Sequence, residues 1–180
     1  MANTLVRPAL WPKETVRDLV QQHTDASGVV VPDEVIDRIM DLTSGQPWLV
    51  NYFLKEVCFD GEVLIQVPNV DRVDRVLEGM FKNRLSHVQS LDKFFKDKKD
   101  DRIRKVHWWL KGGPNPSRDA KDLAEELHII RIGDDGTYTW MNKVVAEVMD
   151  RLQADIHIHS DVAASIRNQC FILGQDPHWE

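Results

Sequence analysis

A mainly α-helical chain is what this sequence predicts, with a bundle of helices followed by a smaller unit of helices around a β-hairpin. Three observations carry the expectation. Apolar residues recur at three- and four-residue intervals through most of the chain, the period of helices buried on one side. Gly and Pro interrupt those stretches where helices end and begin. The run IIRIGDDGTYTWM (129–141) holds two short β-prone pieces around Asp-Asp-Gly, a hairpin signal.

Taken in order, Pro12 suits a first helical position, where its missing N–H is no loss. Val16, Leu19, Val20 and His23 follow with helical spacing, and Gly28 ends the element. After Val29-Val30-Val31-Pro32, a second helix starts near Asp33, with acids in the turn where the helix dipole favours them. Val35, Ile36, Ile39 and Met40 share its inner face, and Gly45 suits the C′ position because it takes a left-handed backbone freely. Pro47 opens a third helix, PWLVNYFLKEVCF, which is apolar nearly all round and therefore expected at the centre. Gly61 closes it, and EVLIQVP reads as extended as far as Pro68.

Val73, Val76, Leu77, Met80 and Phe81 mark a further helix. Ser86 and Gln89 have capping-box spacing, so a break is expected near Ser86 before Leu91, Phe94 and Phe95 continue. Ile103, Val106, His107 and Leu110 begin another helical face, stopped by Gly112-Gly113-Pro114. Residues 117–128 follow as an amphipathic helix with Ala120, Leu123, Ala124 and Leu127 inside. After the hairpin, Val145, Val148, Met149 and Leu152 make a closing helix. Three helices, a hairpin wing and a further helix is the order of a winged-helix domain. The expected division is a helical bundle at 9–97, a winged-helix unit at 98–153 and a tail at 154–180, joined near 97–102 or Gly112–Pro116.

At 42% hydrophobic and 29% charged residues, the 180-residue composition is that of a globular chain able to build a core. A net charge of −6 disfavours nonspecific binding to nucleic acid or membrane, both of which need a positive surface. Cys58 and Cys170 have neither disulfide-framework nor metal spacing, and Cys58, in an apolar stretch, reads as a buried thiol. With no signal-peptide pattern and no apolar run near 20 residues, a soluble, cytoplasmic protein is expected.

LTSGQPWLVNYF (42–53) resembles the helical lid of AAA-like P-loop ATPases of the archaeal-type and STAND-related groups, whose lid carries a T-x-G-Q-P-W-L-V-N signature. The likeness extends along the chain. Asn83 to Leu91 resembles a family segment with Arg followed by Thr-His-Leu-Asp-Ser-Leu. Asp122-Leu123 to Ile129-Ile130-Arg131 is similar to its DL…DLGLI winged-helix segment, and Asn142 to Val148 to its NPIYAEVI helix. Lys143 replaces the family's Pro, and His128 stands where a Gly-containing turn is usual. In such ATPases the Gly-x-Pro turn lies against adenine. The resemblance therefore implies that Gly45, Gln46 and Pro47 would form the adenine side of an intact ATPase, with Trp48 propping the turn from behind.

The sequence has no GxxxxGK[ST] stretch to cradle phosphates. Val29-Val30-Val31-Pro32-Asp33-Glu34 imitates a Walker B strand, but Pro32 cannot donate within a central strand. The expected function is thus a noncatalytic regulatory or protein-interaction module with no cofactor in isolation, meeting an ATPase core or a regulatory target. The alternative is a nucleic-acid-binding winged helix using residues 92–105, DKFFKDKKDDRIRK, which set seven cations against four aspartates. The interaction candidates are Trp108, Lys98, Lys99, Arg102, Arg104 and Lys105, with Trp109 expected in the core and Trp108 at the seam between units or at a partner surface. The acidic balance of SRDAKDLAEELH (117–128) argues against groove entry by that helix. His157, His159 and Asp161 alternate as strand-borne metal ligands would, but no second cluster completes a shell, so surface histidines are the expectation.

Overall fold

The computed structural model describes residues 9–60, 62–82, 86–97 and 99–155, and these form a mainly helical body with two small antiparallel hairpins. Helix α1 (Lys13–Ser27) begins just after Pro12, which stands at the N-cap with an extended ψ of 160°, one residue earlier than expected. Gly28 closes it at φ 74°. Helix α2 (Asp33–Thr43) buries Val35, Ile36, Ile39 and Leu42, and its first-turn Asp33 pairs with Arg17 of α1. Val29 to Pro32 form no strand.

Helix α3 (Pro47–Cys58) buries Leu49, Val50, Phe53, Leu54, Val57 and Cys58, which puts it at the centre of the bundle. It stops one residue sooner than the apolar run. Phe59 belongs to β1 (Phe59–Asp60), which pairs with β2 (Val63–Leu64), Phe59 opposite Leu64 and Asp60 opposite Val63. The stretch expected to be merely extended thus folds back on the end of α3, and the Ile65 amide donates to the Cys58 carbonyl at 2.8 Å. Helix α4 (Val70–Lys82) buries Val73 and Met80.

Helix α5 (Ser86–Lys96) supplies Leu91 and Phe95 to the core, and α6 (Arg102–Leu110) supplies Ile103, Val106 and His107. Helix α7 (Arg118–Glu126) starts where the Ser117 hydroxyl accepts the Ala120 amide, a cap that satisfies an otherwise orphan donor. Strand β3 (Ile130–Ile132) pairs with β4 (Tyr138–Trp140), with Arg131 opposite Thr139. The turn is fastened by the Asp135 carboxylate, which accepts from both the Thr137 amide and hydroxyl. A last helix, α8 (143–155), returns along the bundle.

Buried apolar side chains from Val16 to Leu152 form one continuous cluster, so α8 and the β3–β4 hairpin share a core with the bundle. Each fully buried Leu, Ile or Phe contributes roughly 1.5–3 kcal/mol from removal of apolar surface from water. Among the described residues no helix is long and apolar enough to cross a membrane.

Candidate functional site: the turn between α2 and α3 and its tie to α8

Three residues make the turn. Ser44 (φ 49°) and Gly45 (φ 76°) both adopt the left-handed region, reversing the chain after α2. The Thr43 hydroxyl donates to the Ile39 carbonyl and accepts the Gly45 amide, and the Gln46 amide donates to the Thr43 carbonyl. Gln46 is then the N-cap of α3 and Pro47 its first residue, where a missing N–H costs nothing.

The backbone of Trp11 lies directly on this turn. Its amide donates to the Gly45 carbonyl at 2.8 Å, and a Cβ on Gly45 would collide with the Trp11 carbonyl oxygen. Trp48, expected behind the turn, is 37% exposed. Trp11 has the closer role, and its position just before a helix-opening Pro was the only hint of it.

Gln46 is buried, and its Oε1 accepts from Asn142 Nδ2 at 2.6 Å. The Asn142 Oδ1 in turn accepts the Val145 amide at 2.9 Å, capping α8. One pair of side chains, 96 positions apart, thus joins the N-terminus of α3 to that of α8. Asn142 stands immediately before an apolar helical run, a cap signal readable in the sequence. The sequence carries no sign that its amide reaches Gln46.

Charged contacts extend the tie. Lys143 pairs with Asp41 of α2, while Arg38 bridges Asp41 and Asp74 of α4. The Lys143 hydrogen bond holds the Asp41 carboxyl below the usual carboxylate range despite some opposing burial. Further along α8, Arg151 grips Glu78 of α4 at 2.6 Å, depressing that carboxyl too, and lies 3.9 Å from the Phe81 ring centroid. On the opposite side, Asp150 receives His107 at 2.9 Å and Lys111 at 2.8 Å. Burial pushes the Asp150 carboxyl up, and these two hydrogen bonds outweigh it and leave it lowered.

Beside Gln46 opens a pocket of about 450 Å³, lined by Leu10 and by Arg131, Ile132 and Thr139 of the hairpin. Apolar walls with a few polar groups suit the binding of a small or extended ligand. Of Gly45, Gln46 and Pro47 only Gln46 lines the pocket; Gly45 is buried under Trp11, and Pro47 is half-buried.

Several cations of the second candidate surface are engaged within the chain. Arg102 is held by Asp100 at 2.6 Å and Asp119 at 2.8 Å, and its hydrogen bonds bring the Asp100 carboxyl down to about 2. The Arg104 guanidinium donates to the carbonyls of Phe95 and Asp97, Lys105 pairs with Asp101, and Lys96 with Asp92. The Lys99 backbone amide donates to Asp97, and Lys98 lies outside the described residues. Trp108 is 60% exposed, its ring seated over Gly113. Trp109 is half-buried instead of fully core, packed on Tyr138 at 5.3 Å with Lys121 above it. His157, His159 and Asp161 also fall outside the described residues, among which no cluster of three metal-ligating side chains occurs.

No family model and no curated protein matches the sequence. Among solved structures, a Walker-type ATPase of Pyrococcus abyssi is similar, at 20% identity and a TM-score of 0.52 over 78% of this chain and 42% of that one. This chain spans less than half the length of that ATPase. What the likeness establishes is a shared fold with part of a Walker-type ATPase.

Proposed function

We propose that this chain is a noncatalytic module equivalent to the lid and winged helix of an AAA-like ATPase, and that it transmits the state of the α2–α3 turn to α8. Helices α1–α5 take the part of the lid; α6, α7, the β3–β4 hairpin and α8 take that of the winged helix. Gly45, Gln46 and Pro47 stand where the lid signature of such ATPases meets adenine, and the fold likeness to a Walker-type ATPase supports the assignment. The observation that carries the reading is the buried Gln46–Asn142 hydrogen bond. A displacement of the turn on nucleotide contact would pull directly on the cap of α8, because a buried amide left unpaired costs about 1–3 kcal/mol.

The partner is an ATPase core, in the same polypeptide or in another, that supplies the phosphate-binding loop. Two measurements test this. A phosphate-release assay on the purified chain should show no ATP turnover above buffer; turnover by the chain alone would end the noncatalytic reading. The reading frame upstream of Met1 should encode a phosphate-binding loop, or a separate ATPase core should change its hydrolysis rate when this chain is added. The nucleic-acid alternative rests on residues 92–105, whose described cations largely face aspartates or carbonyls. Fluorescence anisotropy with duplex DNA at low salt should show no binding, whereas a steeply salt-dependent isotherm would favour that alternative.

A further inference from the structure

The pocket beside Gln46 runs along the outer edge of β3. It touches every residue from Ile130 to Asp134, whereas from β4 it takes only Thr139. Successive strand side chains point to opposite faces, so a wall of consecutive residues is the backbone edge of the strand. The register says which main-chain groups lie there. The Gly133 amide donates to the Thr137 carbonyl and the Met141 amide to the Ile129 carbonyl, so Ile129, Arg131 and Gly133 turn their main-chain groups toward β4. Those of Ile130 and Ile132 turn outward and meet no partner among the described residues. Ile130 is buried, where an unpaired main-chain group is rare.

A buried side-chain donor is left over as well. The Asn142 atom that accepts the Val145 amide is an oxygen, so Asn142 offers its NH2 group to Gln46, and the Gln46 atom that receives it is Oε1. The Gln46 amide goes to the Thr43 carbonyl, and its carbonyl accepts the Val50 amide. What remains is Nε2, on a residue 5% exposed that lines the pocket, with no partner among the described residues.

We propose that this edge takes an extended peptide of a partner protein as a third, antiparallel strand, with an apolar residue paired to Ile132 and an acidic residue opposite Arg131. Main-chain bonds to Ile130 and Ile132 fix the register of the peptide, and Gln46 Nε2 donates to an acceptor it carries. The register also assigns the side chains. Peptide residues paired with Ile130 and Ile132 share their face, and the residue between them shares the face of Arg131 and Thr139. Ile132 and Leu10, 39% and 38% exposed, offer apolar surface to be covered. Arg131 hydrogen-bonds the Thr139 hydroxyl and pairs with no carboxylate among the described residues. Glu125 and Asp134 stand elsewhere on the wall, so an acid is favoured opposite Arg131 and repelled at the other positions.

The probe is a fluorescein-labelled, end-capped peptide with the core Thr-Val-Glu-Val-Thr, titrated with the full chain and followed by anisotropy. It should bind with a Kd below about 1 mM. N-methylation of both valines removes the two N–H groups aimed at the Ile130 and Ile132 carbonyls and should weaken binding about tenfold or more. Replacing the central Glu by Lys should weaken it about fivefold, and Arg131→Glu should reverse that preference. Arg131 is exposed, so the variant should keep the far-UV circular dichroism of the parent chain. A weaker Kd for the parent peptide would overturn the proposal. So would an N-methylated peptide that binds as well as its parent, which makes the contact apolar only, or a Glu-over-Lys preference that survives Arg131→Glu. A dimer in analytical ultracentrifugation that the peptide dissociates would give the edge to a second copy and overturn it too. None of these outcomes involves nucleotide, so the ATPase-lid reading stands or falls separately.

Discussion

Gly45 is glycine for two separable reasons. Its φ of 76° is a backbone region that disfavours side chains, and the Trp11 carbonyl oxygen occupies the space a Cβ would need. Gly45→Ala should therefore destabilise the fold by about 2 kcal/mol or more in urea unfolding, because strain and a displaced backbone segment add. Gly28 separates the two reasons, since its φ is 74° but no atom lies within 4 Å of its would-be Cβ. Gly28→Ala should cost only the conformational part, about 1 kcal/mol. His128 presents the opposite case. The Ile129 amide donates to the Ala124 carbonyl and the His128 amide to Glu125, the two bonds of a Schellman motif, and His128 fills its left-handed position at φ 55°. The sequence hinted at this, because the ATPase segment it resembles usually carries a Gly-containing turn where this chain has His128. His128→Gly should raise stability by about 0.5–1 kcal/mol by the same measurement, through relief of the left-handed strain.

At the level of elements, α8 is the strut on which the arrangement depends. Its cap, Asn142, serves two masters: one side-chain oxygen holds the Val145 amide, and the amide nitrogen reaches Gln46 of α3. Gln46→Ala should leave a buried donor unpaired at a cost of about 1–3 kcal/mol. Asn142→Ala should cost more, since it also removes a helix cap worth about 1 kcal/mol. In a double-mutant cycle the two losses should fail to add by about 1 kcal/mol; strict additivity would mean that the pair does not communicate. Helix starts and stops were largely legible, because Gly28, Pro47, Ser117 and the Asp-Asp-Gly turn act through local backbone geometry. The β1–β2 hairpin was not. Its four strand residues carry no alternation long enough to distinguish a paired strand from an extended connection. Nor was the Gln46–Asn142 contact, since nothing local to either residue encodes a partner 96 positions away. The Trp108–Trp109 pair was half legible. Adjacent helical residues must diverge by about 100°, and Trp109 does turn inward and Trp108 outward, but how deeply Trp109 is buried depends on where Tyr138 and Lys121 lie.

For the whole molecule, three carboxylates that anchor α8 on different sides share one electrostatic condition. Asp41 faces Lys143, Glu78 faces Arg151, and Asp150 of α8 itself faces Lys111 and His107. All three carboxyls are held below their ordinary values. A depressed carboxyl binds fewer protons in the folded than in the unfolded chain, so its stabilisation is complete above the unfolded value of about 4 and is lost as pH falls through the lower folded value. The thermal midpoint should thus stay nearly level between about pH 5 and 7 and drop below about pH 4. The pairs are largely exposed, so each is individually weak and screened by salt. Their common direction is what matters, because protonation of each as the pH falls weakens the hold of α8 on α2, α4 and α6. Lys143→Met with Arg151→Met should lower the midpoint at neutral pH and shrink the further loss on going to pH 3, leaving Asp150 as the contributor on α8 beside Asp100 and Asp135 elsewhere in the fold. If the double variant kept the full acid sensitivity, other carboxylates would dominate, and α8 would be held chiefly by its apolar face of Val145, Val148, Met149 and Leu152.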